Sequence, residues 1–139
     1  MRKVSDILKR KGNNVTTVLP SMPVFDALTL MADQNIGSVV VTENEQFLGI
    51  MTERDYSRKV ILKGKHSNDT TVGEIMSSDF PAITESDSVE YCMQIMSKEN
   101  LRYLPVMKNN KLSGVISIND VVTETIITQQ ETISQLQSY

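Results

Sequence analysis

Gly49-Ile50-Met51-Thr52-Glu53-Arg54-Asp55 is echoed 65 residues later by Gly114-Val115-Ile116-Ser117-Ile118-Asn119-Asp120, and both strings have the form Gly-x-x-Thr/Ser-x-x-Asp. Each begins in an apolar run and ends in polar residues suited to opening a helix, so each predicts a strand-to-helix junction. A glycine permits a turn or a close approach, a hydroxyl can bond phosphate or sugar oxygen, and a carboxylate three residues on can accept both hydroxyls of a ribose. Amides at the new helix's N-terminus add a favourable potential for phosphate. The plainer reading is that Thr52 and Ser117 cap a helix and that Asp55 and Asp120 sit in its first turn, where acids are favoured anyway.

Working outward, the same offset carries the whole of 16–60 onto 81–125 without a gap. Identical pairs are Ser21/Ser86, Val24/Val89, Met31/Met96, Asn35/Asn100, Val41/Val106, Asn44/Asn109, Gly49/Gly114 and Asp55/Asp120. Apolar classes agree in phase at Val18/Ile83, Leu28/Met93, Ile36/Leu101, Val39/Leu104, Phe47/Leu112, Ile50/Val115 and Met51/Ile116. An opening segment, Val4–Leu8 against Val72–Met76, matches at offset 68, so the loop after it is three residues longer in the first copy.

Within each copy, Val24, Leu28 and Met31, like Val89, Met93 and Met96, fall at helical spacing after the candidate caps Ser21 and Ser86. Ser38–Thr42 with Phe47–Met51, and Tyr103–Met107 with Leu112–Ile116, read as strand pairs closed by polar turns. With short strands at Thr16–Leu19 and Ala82–Thr84, both copies read β-α-β-β-α, an α/β (α+β) fold. At about 60 residues each, the copies are expected to pack face to face about a pseudo-twofold axis. The expected domains are 1–70, 71–125 and a helical extension, 126–139; in the C-terminal stretch Val122, Ile126, Ile133 and Leu136 recur at near-helical spacing.

Composition narrows the function. The chain has 139 residues, 40% hydrophobic and 22% charged, which suits a globular fold. No apolar run approaches the roughly 20 residues of a membrane span, and no signal core follows Met1-Arg2-Lys3, so a cytoplasmic protein is expected. One cysteine, Cys92, and one histidine, His66, make neither a disulfide nor a zinc site, and no nucleophile–base pair suggests catalysis. Cys92 aligns with Ala27 and reads as a small packed residue; His66 lies in a polar linker. The net charge of -3 splits into +2 over 1–70 (ten basic, eight acidic) and -5 over 71–139 (four basic, nine acidic), which disfavours nucleic acid as a partner.

These repeats resemble a tandem pair of CBS (cystathionine-β-synthase) domains, a Bateman module. Besides the two Gly-x-x-Thr/Ser-x-x-Asp motifs, Val72-Gly73-Glu74-Ile75-Met76 resembles the segment that opens a repeat, and Leu101-Arg102-Tyr103-Leu104-Pro105-Val106 the central strand. Thr52–Val60 is similar to a bacterial and organellar subgroup of stand-alone modules. The resemblance implies binding of AMP, ADP, ATP, NAD(H) or S-adenosylmethionine in a cleft shared by the repeats, to regulate a partner protein in trans, without catalysis or a catalytic cofactor.

By that resemblance Asp55 and Asp120 hold ribose hydroxyls, while Thr52 and Ser117 lie near phosphate or ribose. Thr17, Val18 and Ile83 line adenine. The Asp55 site sees Tyr103 and Pro105, and the Asp120 site sees Gly37 and Ser38. Arg54 and Arg102 are the candidate phosphate partners, since a guanidinium fork suits phosphate oxygens. Arg54 becomes Asn119 in the second copy, and Arg102 corresponds to Gly37 in the first, so the two sites are expected to be non-equivalent, the Asp55 site preferring the more anionic ligand. A homodimer is expected. The rival reading is a ligand-free interaction module acting through dimer contacts and the C-terminal helix.

Overall fold

The computed structural model describes residues 2–138; Met1 and Tyr139, which the expected outer domain bounds include, lie outside them. Helices and strands are mixed, with two small sheets. In the first copy, β1 (Thr17–Val18) runs parallel to β2 (Ser38–Glu43), which pairs antiparallel with β3 (Gln46–Thr52). Helix α2 (Val24–Gln34) joins β1 to β2, and β3 leads into α3 (Glu53–Tyr56) and a π-helical turn, Ser57–Ile61. The second copy repeats the plan with α5 (Val89–Glu99), β4 (Tyr103–Lys108), β5 (Lys111–Ser117) and α6 (Ile118–Gln137). Its first strand shrinks to one parallel bridge, Ile83 with Val106, in register with the Val18–Val41 pair of the first copy.

Several repeat identities have local causes. Both hairpins close with two-residue loops in which each residue has positive φ, Asn44 and Glu45 (52° and 65°) and Asn109 and Asn110 (52° and 63°). That is the mirror-image turn whose twist matches paired strands, and Asn tolerates it best among residues with a side chain. Asn35 and Asn100, each at φ 54°, end α2 and α5 in the left-handed conformation. The amides of Ile36 and Leu101 then reach back to the carbonyls of Met31 and Met96 at 3.0 and 2.9 Å.

The expected helix starts are corrected. Helices α2 and α5 start later than Ser21 and Ser86: Pro23 stands at the first N-cap without a side-chain bond, and Ser88 caps the second, its hydroxyl accepting from the Tyr91 amide at 3.0 Å. Proline's fixed φ is already compatible with a helix start, which makes a hydroxyl cap dispensable there.

The compact units of the structure do not run end to end along the chain as the repeats do. One unit is Val15–Phe80; the other joins the stretch up to Asn14 to everything from Pro81 onward. Helix α1 (Val4–Lys11) precedes the first repeat yet packs with the second, while α4 (Val72–Ile75) precedes the second and packs with the first. The reason is apolar burial. Val4, Ile7 and Leu8 share a core with Ile83, Cys92, Met96, Leu104, Ile116 and Val121, and Val72 and Ile75 share one with Val24, Ala27, Met31, Val39 and Met51. Residues 126–137 are no separate piece but the continuation of the helix that starts at Ile118. Among the described residues, no helix is long and apolar enough to cross a membrane.

Candidate functional site

At each junction the last strand residue stays extended and caps the helix that follows. Thr52 has φ -118° and ψ 167°, and Ser117 φ -107° and ψ 166°. Thr52 Oγ1 accepts from the Asp55 amide at 3.1 Å, while Asp55 Oδ2 accepts from the Thr52 amide at 2.9 Å and from Thr52 Oγ1 at 3.1 Å. Likewise Ser117 Oγ accepts from the Asp120 amide at 3.2 Å, and Asp120 Oδ2 from the Ser117 amide at 2.8 Å. These reciprocal boxes realise the capping reading of both motifs. They leave room for a second role, because a carboxylate offers about four lone-pair positions and a cap uses one or two.

The glycines have a cause other than a turn or a ligand. A Cβ on Gly49 would lie 2.6 Å from the Ser77 carbonyl oxygen, and one on Gly114 2.9 Å from Leu8 Cδ2. Each glycine lets an opening segment cross the strand closely. At the first crossing the chains bond reciprocally, with the Ile50 amide to Ser77 O and the Ser77 amide to Ile50 O, both at 2.9 Å.

One unit collects Thr17, Val18, Gly37, Ser38, Thr52, Arg54 and Asp55; the other collects Ile83, Arg102, Tyr103, Pro105, Ser117 and Asp120. In the first, Thr17 pairs with Val40, buried Val18 with Val41, Ser38 stands opposite Thr52, and Gly37 O accepts from the Glu53 amide at 3.3 Å. In the second, Tyr103 stands opposite Ser117, buried Pro105 pairs with Val115, and Arg102 O accepts from the Ile118 amide at 2.9 Å. Arg102 is exposed and Arg54 half-buried beside Asp55. Asp55 is only 7% exposed, so this carboxylate depends on its protein partners for solvation.

Residues 4–61 and 72–126 each match the family model of the CBS domain. The chain belongs to the CBS domain family, with two copies of the domain. Among curated relatives, the mitochondrial CBS domain-containing protein CBSX3 of Arabidopsis thaliana is 34% identical over 145 residues, covering 98% of this chain and 70% of that protein. The CBS domain-containing protein YhcV of Bacillus subtilis is 28% identical, covering 85% of this chain and 84% of the relative. Among solved structures, a protein with CBS domains from Burkholderia ambifaria superposes with TM-score 0.87 at 41% identity, covering 91% of this chain and 96% of its own. The CBS domain pair of protein MJ0100, solved with 5'-methylthioadenosine and S-adenosyl-L-methionine, shares the fold at TM-score 0.77 and 22% identity, covering 88% of this chain and 98% of that one.

The two CBS repeats hold their motif acids with different partners. In the first, Asp55 Oδ1 faces Ser77 Oγ and Lys59 Nζ, both at 3.0 Å, and Lys59 also donates to Ile75 O at 2.9 Å. In the second, Lys11 Nζ lies 2.8 Å from Asp120 Oδ2 and 2.9 Å from Val115 O. At the repeat position of Lys59 stands Glu124, 2% exposed, with Arg10 Nε at 3.0 Å and Arg2 Nε at 3.6 Å. Sequence reasoning places Lys11 and Lys59 in basic clusters that could face an anionic ligand, but it did not pair them with the motif acids and missed Ser77 and Glu124. The four-residue spacing of Asp55 and Lys59 and the charge reversal to Glu124 were available as signals; Ser77 and Lys11 meet their acids only through tertiary packing.

Proposed function

We propose that this chain is a regulatory module that binds an adenosine-containing ligand through its two CBS motifs and acts on a partner protein in trans. The observation that carries this reading is the duplicated, mostly buried acid at a strand-to-helix junction, next to a capping hydroxyl and helix amides. A buried carboxylate there offers hydrogen-bond acceptors to a vicinal diol, while amide and guanidinium donors suit phosphate. Asp55 and Asp120 take ribose hydroxyls; Thr52 and Ser117 stand near phosphate or ribose. Thr17, Val18 and Ile83 line the base, Gly37, Ser38, Tyr103 and Pro105 complete the walls, and Arg54 and Arg102 serve phosphate. The adenosine ligands bound by the CBS pair of MJ0100 support the ligand class.

Two measurements test this. The chain has no Trp and four Tyr, so co-purified adenine would shift its ultraviolet absorbance towards 260 nm, and denaturation would release a molecule identifiable by mass. Calorimetry with AMP, ADP, ATP, NAD(H) and S-adenosylmethionine should then show binding that weakens in Asp55→Asn and Asp120→Asn. Unchanged affinity in both variants for every ligand would refute the ribose role.

A second reading rests on α6, where Val122, Ile126, Ile133 and Leu136 are 46–68% exposed along one helix. Such a surface favours contact with another chain, a second copy included, and would act whether or not a nucleotide binds. Concentration-dependent sedimentation of wild type against Ile126→Glu/Ile133→Glu tests it; equal mass for both at all concentrations argues against it.

A further inference from the structure

The carboxylates of the two motifs differ in how many acceptor positions they have left. Asp55 has three hydrogen-bond donors, the Thr52 amide and Thr52 Oγ1 on Oδ2 and Ser77 Oγ on Oδ1, and Lys59 Nζ forms an ion pair with Oδ1 at 3.0 Å. Three hydrogen bonds and the adjacent ammonium together crowd the roughly four lone-pair positions of a carboxylate. Asp120 has two donors among the described residues, the Ser117 amide and Lys11 Nζ, and both fall on Oδ2. Among the described residues none donates to its Oδ1, which has two lone pairs for incoming hydroxyls. The capping hydroxyls differ in the same sense: Thr52 Oγ1 donates to its own Asp55 at 3.1 Å, whereas among the described residues Ser117 Oγ only accepts, from the Asp120 amide at 3.2 Å.

Ser77 is the residue that makes the difference. It is held by the reciprocal backbone bonds to Ile50, and from there its hydroxyl occupies the place on Asp55 Oδ1 that a sugar hydroxyl would need. In the other repeat the opening segment continues as helix to Lys11, which binds Val115 O, the repeat equivalent of Ile50 O, and reaches the acid's already capped oxygen. A vicinal diol at Asp120 therefore adds hydrogen bonds to an unfilled oxygen. At Asp55 it must first displace a hydroxyl and an ammonium, exchanging bonds rather than adding them.

We propose that the Asp120 motif binds the first nucleotide and that the Asp55 motif is self-occupied, with Ser77 standing in for a ribose hydroxyl and setting the weaker affinity of that site. This rests on the reading of both acids as ribose acceptors. The test is calorimetric titration of the full chain with AMP, repeated with ATP, NAD+ and S-adenosylmethionine, on wild type, Asp120→Asn, Asp55→Asn and Ser77→Ala, each shown by urea unfolding to be folded. The tighter event should weaken at least about tenfold in Asp120→Asn, the scale of one hydrogen bond to a charged group. Asp55→Asn should act only on the weaker event. Ser77→Ala keeps the backbone pairing with Ile50 and should tighten the weaker event several-fold. Where a single event is resolved, it must be the one that Asp120→Asn removes. Loss of the tighter event in Asp55→Asn with retention in Asp120→Asn overturns the inference and leaves the ribose reading standing, as does a Ser77→Ala weaker event that fails to tighten. Absence of binding by wild type to all four probes overturns that reading and the inference together.

Discussion

Gly49→Ala tests why the motif glycine is there. The added Cβ would sit 2.6 Å from Ser77 O and 3.0 Å from Met76 Sδ. Ordinary contact begins well beyond 3 Å, and the nearest atom is backbone, held by the amide of Ile50 at 2.9 Å and unable to rotate away. Relief requires the opening segment to lift off β3, straining two reciprocal backbone bonds and moving Ser77 away from Asp55. Overpacking of this kind costs about 1–3 kcal/mol, and two weakened hydrogen bonds add about 1 kcal/mol each. Against that stands a gain of about 0.5–1 kcal/mol for removing a flexible residue from a strand. The net expectation is a loss of about 2–4 kcal/mol. Gly114→Ala is the internal control, since its nearest neighbour is the end of the Leu8 side chain, which can change rotamer; a loss of about 1 kcal/mol is expected. Urea unfolding at constant m-value measures both. Losses equal within about 0.5 kcal/mol, or a larger loss at Gly114, would refute the argument from backbone crowding.

Glu124→Ala should cost about 1–3 kcal/mol by urea unfolding, below the usual penalty for breaking a buried pair, because Arg2 and Arg10 are about one-third exposed and can rehydrate. Combining it with Arg10→Ala should cost less than the sum of the single losses if the pair acts as a unit. Glu45→Asn, which copies the second hairpin into the first, should stabilise the protein by about 0.5–1 kcal/mol in thermal unfolding, because Glu45 holds φ 65° without the tolerance of Asn for that conformation. Burial, and secondarily the charge of Asp87, pushes the Cys92 thiol up to about 11 from 9.0. The unfolded chain therefore ionises first, so stability that is full below pH 9 should fall as pH rises towards 11, and Cys92→Ala should remove that part of the slope. In the folded protein Cys92 should also resist alkylation at pH 8, a prediction that stoichiometric native labelling would sink.

The strands, turns and capped helices were readable from order along the chain because their causes are local. A hydroxyl and an acid three residues apart make a capping box by bond geometry alone, and two residues joining antiparallel strands need the positive φ that Asn accepts. Asn35 and Asn100 repeat because each ends a helix in the left-handed conformation. The duplication at offset 65 multiplied each of these weak signals by two. Ser21 and Ser86 misled because a hydroxyl near a helix start has the same signature whether or not it is the cap.

The sequence by itself thus determined the repeated α+β plan, the family and the acids at the two junctions. Tertiary structure alone decided which opening helix joins which core, what crowds Gly49 and Gly114, and what stands on each acid. Helix α1 is amphipathic whichever core it joins, so Val4, Ile7 and Leu8 specify that a face is buried and not against what. The contact of Lys11 with Asp120 spans 109 residues and that of Ser77 with Asp55 spans 22. Neither separation has a periodicity to read, because contacts made by packing depend on where whole elements come to rest. Two motifs nearly alike in letters are therefore unlike in the hydrogen-bonding capacity left to their carboxylates.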